Sequence, residues 1–252
     1  MRIAITREVS PAFAQCELTH LPREPIDVEL ARAQHRRYEG HLSDAGFAVL
    51  RLPADPTFPD SVFVEDAALA FEQVAVVTRP GAEARRGEIE PVAEMLGRLR
   101  SVVRIEAPAT LDGGDVLTVG RKVYVGQSSR TNAEAVRQLR EILHPLAYSV
   151  EPVTVFGCLH LKSAATVVGS NLLLVNPAWV PELLFDGLER VEVDLAEPAA
   201  ANALRLGESV LLPASFPRTR AALETRGITV ISIDVSEIQK AEGGVTCCSV
   251  LL

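Results

Sequence analysis

The stretch EGGVTCCSVLL (242–252) sets two adjacent cysteines, Cys247 and Cys248, behind a pair of glycines and ahead of a short apolar run. A thiol in that place is either a small buried hydrophobe or, as its thiolate, a nucleophile. Companions for the second role stand elsewhere: His160 in GCLHLKSA, Asp112 and Asp115 in LDGGD, Glu65 and Asp66 in FVED. An imidazole, with its pKa near neutrality, can protonate a leaving amine and then take a proton from water, while a carboxylate holds its ring in one tautomer. Carboxylates beyond that need ask for a positively charged substrate. Singly, each residue is ordinary, and only their convergence makes a nucleophilic hydrolase.

Convergence depends on the elements in between, and these repeat. VFVEDAALAFEQVAVVTRPGAEARRGEIEPVAEML (62–96) reads as strand, tight turn, strand, loop, helix, and the same order returns in 110–143, 159–184 and 201–227. The turns align as FEQVA, VGRKV, VGSNL and LGESV, three with glycine at the same place, as a two-residue hairpin connection prefers. The N-terminal strand RIAIT, a helix from Asp27 to Ala45 capped by Gly46, and a last strand CCSVLL complete a fifth unit. Pairing the last strand with the first closes a ring and removes exposed edges.

Counting back from the turns, Asp66, Asp115 and Asn202 each stand five residues before Phe71, Gly120 or Gly207. Asp112 and His160 lie a few residues further back, and Cys247 begins the closing strand. Polar residues of four units therefore meet at one mouth of the ring. Gly243 and Gly244 are expected to let the chain bend tightly into that mouth. Adjacent strand residues face opposite ways, so only one cysteine of the pair can face the pocket.

The 252 residues, 48% of them hydrophobic, show no Gly/Ser-rich or Pro-rich linker, which predicts one α/β domain over 1–252. A net charge of −8 counts against nucleic acid or an anionic membrane as partner and suits a cationic small-molecule substrate. With no apolar run long enough for a signal sequence or a membrane span, a cytoplasmic protein is expected. Four irregularly spaced cysteines and no CxxC pair predict free thiols and no structural zinc site. The outer helices carry no long heptad pattern, which leaves the oligomeric state open, a homodimer included.

Seven blocks, CELTHLPREPID (16–27), LPADPTFPDSVFVEDAAL (52–69), TRPGAEARRGE (78–88), TLDGGDVLTVG (110–120), RTNAEA (130–135), LHLKSA (159–164) and GGVTCCS (243–249), run in order over nearly the whole chain. Together they resemble the dimethylarginine dimethylaminohydrolases of the guanidine-modifying (pentein) superfamily. The resemblance implies a five-unit α/β propeller with pseudo-fivefold symmetry and a central active-site channel. It also implies hydrolysis of Nω-methylated arginines to citrulline and a methylamine, without metal or organic cofactor. The family's GGxxCxS pattern selects Cys247 as nucleophile over Cys248. His160 then serves as general acid and base, oriented by Asp112, and a covalent thiouronium adduct forms on the cysteine.

By position, the same resemblance assigns Glu65 and Asp66 to the guanidinium, and Arg85 and Arg130 to the α-carboxylate, a task that suits arginine's fixed fork. Asp60, Phe63 and Leu18 go to the amino group and aliphatic stem, with Leu18 on a closing lid. Ala241 and Glu242, which border the substrate's amino end, depart from the aliphatic residue and Asp usual there. Zinc at Cys247 and His160 would act as an inhibitor. The same cysteine, histidine and acid set serves arginine or agmatine deiminases and amidinotransferases. A non-catalytic sensor of arginine derivatives would be expected to have lost one of the three, and all three are present.

Overall fold

The computed structural model describes residues 1–252 apart from 182–184 and 186. Strand β1 (Arg2–Arg7) leads into a long excursion and then helix α1 (Val28–Asp44). Asp27 caps α1 by accepting the Leu30 N–H at 3.0 Å, and the chain leaves it through Gly46 at φ +85°, a conformation glycine adopts without a Cβ clash. Those ends agree with the predicted helix. β2 (Phe47–Leu52) then pairs in parallel with β1, from Arg2–Phe47 to Arg7–Leu52.

Next comes an antiparallel hairpin, β3 (Ala68–Ala70) with β4 (Val74–Val77), followed by α2 (Ile89–Gly97) and by β5 (Ser101–Arg104), which returns parallel to β4. The second unit repeats this with β6 (Val116–Val119), β7 (Lys122–Gln127), α3 (Ala133–Leu143) and β8 (Ser149–Thr154). The third opens with a short α4 (Leu161–Ala164) before β9 (Ala165–Val167), β10 (Leu172–Val175) and β11 (Glu189–Glu192). The helix predicted at the end of 159–184 falls partly outside the described residues. In the fourth, β12 (Leu204–Leu206) and β13 (Ser209–Pro213) precede α5 (Pro217–Thr225) and β14 (Thr229–Ile233). A short α6 (Ser236–Gln239) leads to β15 (Val250–Leu251).

Among the described residues the strands form five three-stranded sheets, each with one antiparallel and one parallel neighbour. β15 pairs antiparallel with β1, Ala4 opposite Leu251 and Ile5 opposite Val250, so the last strand does close on the first. This is the five-unit α/β propeller. Two features differ from the sequence reading. Among the described residues each unit carries a third, outer strand, and the half-exposed pattern of segments such as Ser101–Arg104 gives it little hydrophobic periodicity. The closing strand is only Val250–Leu251, with both cysteines in the turn before it.

The residues aligned before the hairpin turns fasten neighbouring units. Asp66 Oδ1 accepts the Gly114 N–H at 3.0 Å, Asp115 Oδ1 the Leu161 N–H at 2.9 Å, and Asn202 Oδ1 the Thr246 N–H at 3.1 Å. Each bond crosses from one unit to the next around the axis. All three side chains are buried, where leaving a donor unmatched costs about 1–3 kcal/mol. Apolar cores fill the wedges between units. One face of α3, with Ala135, Val136, Leu139 and Leu143, packs against Val123, Val125 and Val150.

A buried histidine marks the packing of α1. His35 lies 3.8 Å from the Glu39 carboxylate, and its Nε2 has no hydrogen-bond partner. Burial, opposed by Glu39, lowers its pKa from 6.5 to about 4. As pH falls, the unfolded chain therefore binds a proton before the folded one does, and stability declines from about pH 6.5 down through about pH 4. A shift of that size is worth about 3 kcal/mol. We expect the unfolding free energy to follow that slope in urea titrations, and the slope to flatten in His35→Gln. An equal slope in the variant would place the proton elsewhere.

Candidate active site

Glu65, Asp66, Asp112, His160 and Cys247 each sit shortly before the innermost strand of a unit, which brings them to the same mouth of the ring. Glu65 and Asp66 lie on a 3₁₀ turn (Val64–Ala67) leading into β3, and Asp112 precedes a similar turn (Gly113–Asp115) ahead of β6. His160 is the residue before α4 and β9. Cys247 lies on the turn before β15. The glycines of LDGGD serve close approach: a Cβ on Gly113 would collide with the Glu65 carbonyl oxygen, and one on Gly114 with the His160 ring.

The turn at the cysteines is made differently from the expectation. Neither Gly243 nor Gly244 has positive φ, and the left-handed residue is Glu242 at φ +59°. The glycines are needed because a Cβ would strike the Phe63 ring or the Asn202 amide. Cys247 lines the pocket, and its Sγ accepts the Gly244 N–H at 3.3 Å. Cys248 turns away into the core beside Tyr38 and Val245, where its thiol lies 3.8 Å from the Gly244 carbonyl oxygen. The pair thus divides as predicted, through a turn instead of strand alternation.

His160 Nε2 lies 3.0 Å from Asp112 Oδ2, while Asp112 Oδ1 accepts the Gly81 N–H at 2.9 Å. Asp112 is fully buried. Burial by itself would favour neutral His160, but the charge of Asp66, the hydrogen bond His160 donates to Asp112 and the charge of Asp115 outweigh it and raise the pKa from 6.5 to about 9. Cys247 moves the other way. Burial, then the charges of Glu65 and Asp66, push its thiol up to about 12. The site at neutral pH therefore pairs an imidazolium with a protonated thiol. A cation beside the thiol would lower its pKa.

Asp66 accepts from Arg85 Nη1 at 2.8 Å through its second oxygen. Although buried, it is held at about 2 by His160, Arg85 and the Gly114 N–H. Arg85 is itself buried, with Nε and Nη2 on Glu88 Oε2 at 3.1 and 3.0 Å. Burial pushes Glu88 up to about 7 against the pull of Arg85. Glu65 receives Lys162 Nζ at 2.6 Å and the Thr246 hydroxyl at 2.7 Å. These three form the floor of the site, for they also border a cavity of about 270 Å³ along the ring axis, walled by inner-strand residues such as Leu69, Leu117, Val167, Leu204 and Val250.

Asp60, Phe63, Asp66, Arg85, Arg130, Ala241 and Glu242 share with Cys247 and His160 a tight pocket of about 20 Å³, room for one water. A wider cavity of about 580 Å³ adjoins it across Leu159, His160, Gly243 and Cys247. Asp112 stands behind His160 and Glu65 in the floor. Leu18 does not line the pocket, because its side chain packs against the core that contains Phe13 and Phe63. Glu17 and His20, its neighbours, reach the walls instead. Burial raises the pKa of Asp60, with Arg85 and the Glu17 N–H opposing.

Lys162, Thr246 and Glu88 were missed as site residues. Their partners are distant in sequence or, for Glu88, lie one helical turn away, where an ion pair reads as surface decoration. The donor atoms of Asp66, Asp112 and His160 come within 4.8 Å of one another, as in a metal centre. Arg85 already compensates Asp66, so the set is a charge-balanced acid–base network.

The family model for N,N dimethylarginine dimethylhydrolase, eukaryotic, matches residues 17–193. The N(G),N(G)-dimethylarginine dimethylaminohydrolase of Pseudomonas aeruginosa is 41% identical over 88% of this chain and 89% of its own. That of Streptomyces coelicolor is also 41% identical, over 99% and 96%. A crystal structure of a dimethylarginine dimethylaminohydrolase variant in its adduct with S-methyl-L-thiocitrulline superposes with a TM-score of 0.94 at 38% identity, both chains covered in full. The N-terminal domain of the arginine dihydrolase ArgZ, at 16% identity and a TM-score of 0.90, shares the fold. On the matched length, the identity and the shared ring, this chain belongs to the dimethylarginine dimethylaminohydrolase family.

Proposed function

We propose that this protein hydrolyses Nω,Nω-dimethyl-L-arginine and Nω-monomethyl-L-arginine to L-citrulline and dimethylamine or methylamine. The observation that carries the reading is the buried His160 imidazole, held by Asp112, in one pocket with Cys247, Asp66 and Arg130. Such a site is poised to donate a proton before it accepts one. Its thiol, pushed up to about 12 by burial and by the charges of Glu65 and Asp66, is a weak nucleophile until a guanidinium arrives.

The substrate's planar cation is held by carboxylate oxygen of Asp66, which keeps free lone pairs beyond its two internal bonds. The added positive charge lowers the Cys247 pKa, the thiol gives up its proton to water, and the thiolate attacks the guanidinium carbon. His160 gives its proton to the methylated nitrogen as the C–N bond breaks, and the amine leaves from a cysteine thiouronium. Neutral His160 then takes a proton from water as that water adds to the same carbon. The C–S bond of the tetrahedral adduct breaks, its hydroxyl proton is released to water, and Cys247 leaves as thiolate with citrulline as product. Asp112 keeps the ring oriented through both transfers. Arg130, with Arg85 behind it, faces the α-carboxylate, and Asp60 faces the ammonium group. The 580 Å³ cavity on the far side of the Cys247–His160 pair offers the departing amine a route to solvent.

We expect the purified protein to release citrulline from dimethylarginine, and kcat to fall about 10³-fold or more in Cys247→Ser, the scale of a lost nucleophile. Cys248→Ser should keep most of the activity. The opposite pattern would exchange the roles of the two cysteines, and a higher kcat/KM for unmethylated arginine than for either methylated substrate would favour a deiminase. Because the acid form of His160 is needed, kcat/KM should decline as pH rises past about 9. Asp112→Asn removes a charge that raises that pKa, so its alkaline limb should move to lower pH. A limb that stays in place would detach it from His160.

A further inference from the structure

From Glu17 to Ile26 the chain forms no helix or strand and, among the described residues, no backbone–backbone hydrogen bond. Such a segment stays in place over a pocket only where side chains hold it. Asp60 Oδ2 accepts the Glu17 N–H at 3.1 Å, and Arg130 Nη2 donates to the Thr19 hydroxyl at 3.0 Å. The Glu242 carboxylate gathers the crest, accepting the N–H groups of Thr19 at 3.0 Å, Leu21 at 2.6 Å and His20 between them. Arg23, bonded to the Ala14 and Cys16 carbonyls, and Lys240, bonded to that of Pro25, secure the rest of the loop.

These anchors are not equivalent. Asp60 and Arg130 are the groups that, on the proposed function, receive the substrate's ammonium and carboxylate, so a bound amino acid competes with the lid for them. Glu242 has its carboxylate turned to the lid. We propose that Glu242 is the lid latch, a positioning residue that keeps residues 19–21 over the pocket whether or not Asp60 and Arg130 are engaged by substrate. Its backbone supports this. A non-glycine residue at φ +59° persists where its surroundings hold it. Here the turn after α6 does so, with Glu242 N–H on the Gln239 carbonyl and Gly243 N–H on that of Ile238. Glycine would suit that φ better, so what the glutamate adds is its carboxylate. The role at the substrate's amino end implied by family position is thereby exercised through the lid.

Glu242→Gly removes the latch while easing the backbone, and Glu242→Gln keeps an acceptor oxygen of the same reach. Amide hydrogen exchange of Thr19, His20 and Leu21 should accelerate at least tenfold in Glu242→Gly and less in Glu242→Gln, with the amides of α1 and the melting temperature unchanged. In steady-state assays with dimethylarginine, KM should rise about tenfold in Glu242→Gly while kcat stays within about threefold, and Glu242→Gln should recover much of KM. Unaltered exchange at residues 19–21 would overturn the proposal, as would faster exchange spread through α1, which reports general loosening. Should no methylated arginine be turned over by the unmodified protein, the proposed function fails, while the exchange measurement still decides the latch.

Discussion

A cationic imidazole buried at the axis of the ring is the constraint on which the site rests. Desolvation opposes the charge on His160, and the structure overcomes it with carboxylates brought from two other units, Asp66 from one and Asp112 and Asp115 from another. Asp66 and Asp112 in turn would be costly to bury as anions without Arg85, Gly81 and Gly114 donating to their oxygens. No single unit contains both the cation and its compensation. Packing successive units against one another is therefore what makes the acid–base pair possible.

Several residues join architecture to chemistry. Asp66 fastens the second unit through Gly114, neutralises Arg85 and raises the pKa of His160. Asp115 fastens the third through Leu161 at the base of the helix that His160 precedes, so the position of the imidazole follows from a joint between units. Asn202 does the same for the turn that carries Cys247, accepting the Thr246 N–H and donating to its hydroxyl. Thr246 hands the connection on to Glu65. Substitutions at these joints disturb fold and site together.

Much of this was legible in the sequence. The hairpins with glycine turns, the ends of α1 and the closure of the first strand by the last followed from local chemistry and periodicity, and the ordered blocks of family resemblance pointed to Cys247, His160 and Asp112, whose side chains the ring brings together. The outer strands are not legible in the sequence because a half-exposed strand of four to six residues has no distinctive pattern. The bend at the cysteines was assigned to the wrong residues, since glycine reads as conformational freedom although Gly243 and Gly244 serve close packing and Glu242 takes the left-handed turn. Leu18 stands on the lid with its side chain packed against the core of Phe13 and Phe63, because position along a loop does not fix which way a side chain turns.

The sequence by itself determined which functional groups the chain possesses and that repeated units would carry them to one mouth, because hydrophobic period and turn chemistry act over a few residues. Only the tertiary structure decided their protonation and their partners. The thiol near 12, the imidazole near 9, the Lys162–Glu65 floor and the Glu242 hold on the lid each arise between residues far apart in the chain. Burial and charge act through space, and their values exist only once the ring has closed.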